Sequence, residues 1–215
     1  MATLTDLANG ALQHIYVLEG GETAAAEDFA VSMKTLRQVL ARLPEYGGGQ
    51  KLVDVSTQIS TEAVSDQRII CQGTGLVITL PEDPEDGARV AVSLLTGTAD
   101  VKSTDRKLQG ATATVTISAD TTWIYRAPSI DWVAVTALSD TAASPYGDDS
   151  DSAIELITAM ELAPKFSAQI GPELADSISE AKVFLRSKYN RPPEQNWRKS
   201  LPYSLQGPAR LRSYR

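Results

Sequence analysis

The sequence predicts an α+β protein: a four-helix bundle-like α domain, interrupted by an inserted antiparallel β module and followed by an extended C-terminal arm. Three observations predict it. Apolar residues recur at helical spacing in residues 1–50, alternate with polar ones in 51–138, and return to helical spacing in 139–189. From residue 190 the pattern stops, and Pro192, Pro193, Pro202 and Pro208 exclude both a helix interior and a central strand. The charge reverses there too. Of the chain's net −7, residues 186–215 carry +7 (eight cations against Glu194), which leaves −14 on the rest.

Taken in order, Thr3 or Thr5 caps a first helix whose apolar positions are Leu4, Leu7, Ala8, Ala11, Leu12 and Ile15, with Gly20 and Gly21 as its stop. Thr23 starts a second. There Phe29, Met33, Leu36, Leu40 and Leu43 step by four and three, the narrow stripe of a helix lying along another helix, and Pro44 and Gly47 to Gly49 end it.

The β module is read from "QRIICQ", "GLVITL", "ARVAVSLL", "ATATVTIS", "TTWIYR" and "DWVAVTA", short runs rich in Val, Ile, Thr and aromatics. Turn chemistry separates them, as in "PEDPEDG" at Pro81 to Gly87. No helical pattern intervenes to carry βαβ crossovers, so the strands are expected to pair antiparallel in a small sandwich or barrel.

A polar linker, "SDTAASPYGDDSDS", leads to a short helix capped by Asp151 or Ser152 with Ala153, Leu156, Ile157 and Met160 inward, and Pro164 ends it. Gly171 and Pro172 open the last helix, with Leu174, Ile178, Ala181 and Leu185 inward. Neither helical pair buries much alone, so the four are expected to pack as one bundle from which the β module projects.

With 42% hydrophobic and 22% charged residues the composition is that of a soluble globular chain. No apolar run approaches the roughly 20 residues that span a bilayer, so no membrane contact is expected. The N-terminus has no positive segment before an apolar stretch, so no secretion signal is expected. Cys71 is the only cysteine, which leaves no intrachain disulfide or cysteine zinc site and fits a reducing cytosol.

Chemistry is sparse. His14 is the only histidine, too few partners for a triad or a histidine metal site. "QGTGLVIT" has Gly73 and Gly75 but neither a third glycine nor a following helix, so it reads as a turn between strands. Asp148, Asp149 and Asp151 lack the glycine and distal glutamate of a calcium loop. Glu19 with Glu22, or Glu155 with Glu161, stand as carboxylate pairs of the kind a glycan hydrolase needs, though nothing signals a pocket around either. No catalytic residue, cofactor or metal ion is expected.

The tail is the most informative stretch. Trp197, Leu201, Tyr203, Leu205 and Tyr214 are anchors of a segment that buries surface, and Arg191, Arg198, Lys199, Arg210 and Arg212 interleave with them. These ten residues are the candidate partner-binding set. Cations alternating with Trp and Tyr also fit a track for nucleic acid, which the acidic body would repel. A frayed chain end is the plain alternative.

The order of parts resembles the head-to-tail adaptor family of tailed bacteriophages, also called tail accessory factors. The resemblance rests on "LTDLANGALQHI" and "LEGGETA" before the long second helix, then "VITLPEDPEDGARVAV", "TTWIYRAPSIDWVAVTAL" and "SAIELITAMELAPKFSAQIGPELADSISEAKVFL". The segment from about Lys51 to Leu138 departs from the simplest form of the family, which lacks a β insertion. The resemblance implies a non-enzymatic virion protein at the head-tail junction, made in the host cytoplasm. It implies a ring, commonly a dodecamer, bound beneath the portal protein, offering a platform to the next tail component and continuing the channel for double-stranded DNA without reading its sequence. In that setting the bundle makes ring contacts and the tail embraces the portal or a neighbouring copy.

Overall fold

A computed structural model describes residues 2–19, 22, 24–49, 51–111 and 114–189. Among these residues the class is α+β, with four helices and two mixed sheets. Helix α1 (Leu4–His14) starts on a capping box, in which the Thr3 hydroxyl accepts from the Asp6 amide and the Asp6 carboxylate accepts from the Thr3 amide. It ends at His14, short of the expected glycine stop, and Tyr16 follows with a positive φ of 59°. Helix α2 (Ala26–Tyr46) begins after Ala25; the expected cap Thr23 lies outside the described residues.

Pro44 does not end α2 but sits in its last turn. Without an N–H it cannot serve the carbonyl of Leu40 four residues back, and the Tyr146 hydroxyl donates to that oxygen instead at 2.7 Å. The helix runs on to Tyr46, and Gly47 caps it against α4. A Cβ on Gly47 would lie 2.5 Å from the Arg186 nitrogen and the Leu185 carbonyl carbon, so only glycine admits this approach of the two backbones.

Ten strands follow: β1 (Val53–Thr57), β2 (Thr61–Glu62), β3 (Gln67–Cys71), β4 (Leu76–Thr79), β5 (Arg89–Leu94), β6 (Ala99–Lys102), β7 (Lys107–Leu108), β8 (Val115–Ile117), β9 (Thr121–Arg126) and β10 (Asp131–Ala134). The expectation of an antiparallel module is corrected here. The six-stranded sheet has the order β1-β3-β5-β9-β10-β7 and the four-stranded sheet the order β2-β4-β6-β8. Five neighbouring pairs are parallel: β1 with β3, β3 with β5, β7 with β10, β2 with β4 and β4 with β6. Three are antiparallel: β5 with β9, β9 with β10 and β6 with β8.

The physical reason is that the chain alternates between sheets. Parallel neighbours need a crossover between them, and a strand in the facing sheet supplies it where a helix otherwise would. The tight connection at "QGTG" thus joins β3 to β4 across two sheets rather than closing a hairpin. Among the described residues the one hairpin between consecutive strands is β9 to β10, where Ile130 takes a left-handed conformation.

Between the sheets lie Ile69, Cys71, Ile78, Val90, Val92, Val101, Trp123 and Trp132, with the Tyr125 and Trp132 rings 5.4 Å apart. The opposite side of β9 and β10 presents Ile124 and Val133 to a second core shared with Leu4 of α1, Leu36, Leu40 and Leu43 of α2, Ile154 and Ile157 of α3 (Asp151–Leu162), and Ile178 and Leu185 of α4 (Pro172–Tyr189). The sheets therefore do not project freely. The six-stranded sheet shares its outer face with the helices through β9 and β10, and four of the six residues of β9 are buried because both its faces are covered.

The linker and the third helix also differ from expectation. Ser144, Pro145, Tyr146 and Ser150 are buried, so the linker is anchored in the core at these positions, while Ser139, Asp140, Thr141, Asp148, Asp149 and Ser152 stay exposed. Neither Asp151 nor Ser152 caps α3; Asp151 is its first residue, and its carboxylate accepts from the Ala2 amide at 3.2 Å. Among the described residues no helix is long and apolar enough to cross a membrane.

Candidate functional site

The ten residues expected to bind a partner (Arg191, Trp197, Arg198, Lys199, Leu201, Tyr203, Leu205, Arg210, Arg212 and Tyr214) lie outside the described residues. The structure does define where that segment begins. Helix α4 lies on the other helices through Ile178, Ala181 and Leu185, and its last turn is fixed at several points. The Lys188 ammonium donates to both Asp149 carboxylate oxygens at 2.7 Å, to the Ser150 hydroxyl at 2.8 Å and to the Tyr146 carbonyl at 3.3 Å. The Tyr189 ring packs edge-on against Tyr146, centroids 5.8 Å apart, and beside Gly87.

Burial, with lesser effects from Asp149 and Asp86, raises the ionisation of Tyr189 well above the ordinary phenol range. Residue 190 therefore follows a rigid helix end whose surroundings, the turn holding Asp86 and the segment holding Asp149, are acidic. Asp148, Asp149 and the acids of the 82–86 turn are exposed.

A few residues away stands the tie between helices and sheets. Arg89, at the start of β5, is fully buried; it donates from Nε to Asp66 at 3.0 Å and from Nη1 to both the Ala41 carbonyl and Glu45 at 3.2 Å. Arg42 holds the other Glu45 oxygen at 3.1 Å. A buried cation with two carboxylates and a helix carbonyl is a satisfied group. It fixes the angle at which α2 crosses the sheet.

Beyond this tie, α2 and the outer face of β3, β5 and β9 diverge and leave a cleft of about 670 Å³. Its apolar floor is Ala41, Ala91 and Val135, and Ser93, Thr121, Thr122 and Thr136 add hydroxyls. Three cations rim it: Lys34, Arg37 and Arg68. Arg37 donates to the Leu138 carbonyl at 3.1 Å and to Asp140 at 2.9 Å, yet its Nε is buried without an acceptor. Arg68 lies 3.5 Å from Asp54, both half exposed. The one lining carboxylate, Asp120, accepts from the Leu94 amide at 2.8 Å.

The sequence reading missed this cleft. Its signal was present, since Lys34 and Arg37 lie one turn apart on α2 beside the stripe of Met33, Leu36 and Leu40. Nothing in the pattern told that this face meets Arg68 across a gap.

The carboxylate candidates are dispersed among structural duties. Glu161 accepts from the Tyr46 hydroxyl at 2.9 Å, and Glu22 from the Glu19 amide at 3.3 Å. Glu155 lies 3.8 Å from His14 Nε2, and burial raises its carboxyl above the usual range. Gly73 and Gly75 form the β3–β4 turn, and Cys71 is buried between the sheets. Among the described residues no three His, Cys, Asp or Glu side chains come together where they could hold a metal ion.

No protein-family model matches the chain, and no curated protein matches it. Among solved structures, part of the chain is similar to one in "Structure of a chaperone-substrate complex", at 9% identity and a TM-score of 0.27. The match covers 36% of this chain and 14% of that one, and a likeness so slight bears on neither fold nor function.

Proposed function

We propose that this protein is a structural head-to-tail adaptor of a tailed bacteriophage. In this reading the four helices are one bundle, the sheets are an insertion in it, and copies of the body form a ring beneath the portal protein, commonly of twelve. Residues 190–215 are the arm that grips the portal or a neighbouring copy. The ring sits at the head-tail junction, offers its far side to the next tail component and lines the path of double-stranded DNA. No catalysis, cofactor or membrane enters.

The observation that carries this reading is the contrast at residue 190. A body at −12 (−14 on residues 1–185 plus Arg186 and Lys188) ends in a helix turn pinned by Lys188 and Tyr189, and a basic segment rich in Pro, Trp and Tyr follows directly. A fixed root and an adhesive extension are what a grip requires. Anchors such as Trp197 and Tyr203 each contribute on the order of 2 kcal/mol where they fill a pocket. Tethering then multiplies the effect, because each arm of a ring meets its site at high effective concentration, a gain of roughly 10² or more. Net negative charge on the body keeps DNA from adhering to the channel wall.

The test is co-sedimentation with the portal ring of the phage that carries the protein. The full chain is expected to move with the portal, and the chain ending at Tyr189 to stay behind. The interleaving of cations with Trp and Tyr favours a second reading, a nucleic-acid-binding arm. Tail-dependent DNA binding that falls steeply with salt, together with no portal binding, would select it.

A further inference from the structure

We infer that the basic cleft between α2 and the six-stranded sheet is a self-assembly socket, and that its occupant is the acidic turn around Glu82 and Asp83 of a second copy. The inference rests on the ring reading above and specifies which surfaces meet.

The cleft is cationic on a strongly anionic body. Lys34 is exposed and makes no hydrogen bond or ion pair among the described residues, Arg68 has only Asp54 at 3.5 Å, and Arg37 is already paired with Asp140 at 2.9 Å, so Lys34 and Arg68 are the cations left for a partner. Asp120 is the one carboxylate among the lining residues against three cations, and it is held by the Leu94 amide at 2.8 Å. Each copy carries a net −7, with −14 on residues 1–185, so like charge opposes association and a contact that sets one copy's acids on another's cations relieves it. This cleft concentrates such cations over an apolar floor that an inserted turn can cover.

The matching protrusion is the connection between β4 and β5. Glu82 and Asp83 are exposed, and the Asp83 side chain is 99% exposed even though Arg106 approaches it at 3.5 Å. Arg106 also donates to the Glu82 carbonyl, which props the turn outward, while Pro81 and Pro84 stiffen it. The turn and the cleft occupy opposite ends of β5: Gly87 to Ser93 spans about 20 Å at strand rise. A copy therefore cannot fill its own cleft with its own turn. Contact between two different surfaces is head-to-tail, the kind that closes into rings.

The experiment uses two charge-reversed full chains. One carries Lys34→Glu with Arg68→Glu, the other Glu82→Lys with Asp83→Lys; all four positions have exposed or half-exposed side chains, and circular dichroism melts verify that each variant folds. Sedimentation velocity at rising concentration reads self-association. The wild-type chain is expected to associate, each variant alone to weaken by about tenfold or more, and an equimolar mixture to recover, because each variant then meets a complementary surface. Wild-type association should also weaken as salt rises from about 0.1 to 0.5 M. A wild-type chain that stays monomeric throughout, variants that associate as wild type does, or a mixture that does not recover overturns the inference. Portal binding that depends on residues 190–215 while the charge reversals have no effect on association sinks the socket and leaves the adaptor reading intact.

Discussion

The Tyr146 hydroxyl donates to the Leu40 carbonyl at 2.7 Å, the oxygen that Pro44 leaves without a helical partner. A residue from the segment before α3 thus completes the hydrogen bonding of α2. The bond is buried, and burial holds the Tyr146 hydroxyl protonated far above the ordinary phenol range.

This relationship predicts a coupled pair of substitutions. Tyr146→Phe leaves the Leu40 carbonyl buried and unpaired and is expected to cost about 1.5 kcal/mol in urea unfolding. In a Pro44→Ala background the restored N–H serves Leu40, and the same change should cost under about 0.5 kcal/mol. Equal costs in both backgrounds would show that the two residues do not act through Leu40.

Thr158, on α3, is fully buried and its hydroxyl has no hydrogen-bond partner among the described residues. Valine keeps the shape without the unsatisfied group. Thr158→Val is expected to stabilise the fold by about 1 kcal/mol, read from the shift of the urea midpoint at unchanged slope. A loss of stability would mean that the hydroxyl is satisfied in solution.

Alkaline unfolding should report Tyr46. Burial first, and then the hydrogen bond to Glu161, push its hydroxyl up to about 12. The unfolded phenol ionises near 10, so the neutral hydroxyl stabilises the fold fully below about pH 10, and that contribution is lost as pH rises toward 12. Tyr46→Phe should flatten this part of the profile of stability against pH. A variant that loses stability over the same window as steeply as wild type would contradict the assignment.

For the arm, Trp197→Ala and Tyr203→Ala are each expected to weaken portal binding by on the order of 30-fold, with the melting temperature of the body unchanged. Calorimetry at fixed salt distinguishes these from Arg198→Ala, whose smaller effect should fade as salt rises. Indifference of binding to both aromatic changes would remove the anchors from the account.

The helices were legible because their stripes face apolar clusters: Leu4, Leu7, Leu36, Leu40, Ile157, Ile178 and Leu185 are buried in one and Ala11, Leu12 and Ile15 in another, as their spacing implied, while Phe29, Leu156, Met160 and Leu174 are half buried. Six of the ten strands were legible from alternation and β-branched content. The missed strands include the exposed β1 and the two-residue β2 and β7. Pairing direction was not legible at all. Alternation at Ile69, Cys71, Val90 and Val92 states which face is inward and is silent on which strand lies alongside. Pro44 misled because proline ends helices when its orphaned carbonyl has no other donor, and Tyr146 is that donor from about 100 residues away. The cleft was hidden for a similar reason: Lys34 and Arg68 read as ordinary surface charges until the fold sets them on one rim.

The central claim, that a fixed body grips a portal through residues 190–215, is tested most directly by native mass measurement of the chain mixed with its portal ring. The account predicts a discrete complex carrying one full set of copies per ring, and bare portal when the chain ends at Tyr189. A portal that stays bare with the full chain, or one that is fully decorated by the truncated chain, would contradict it.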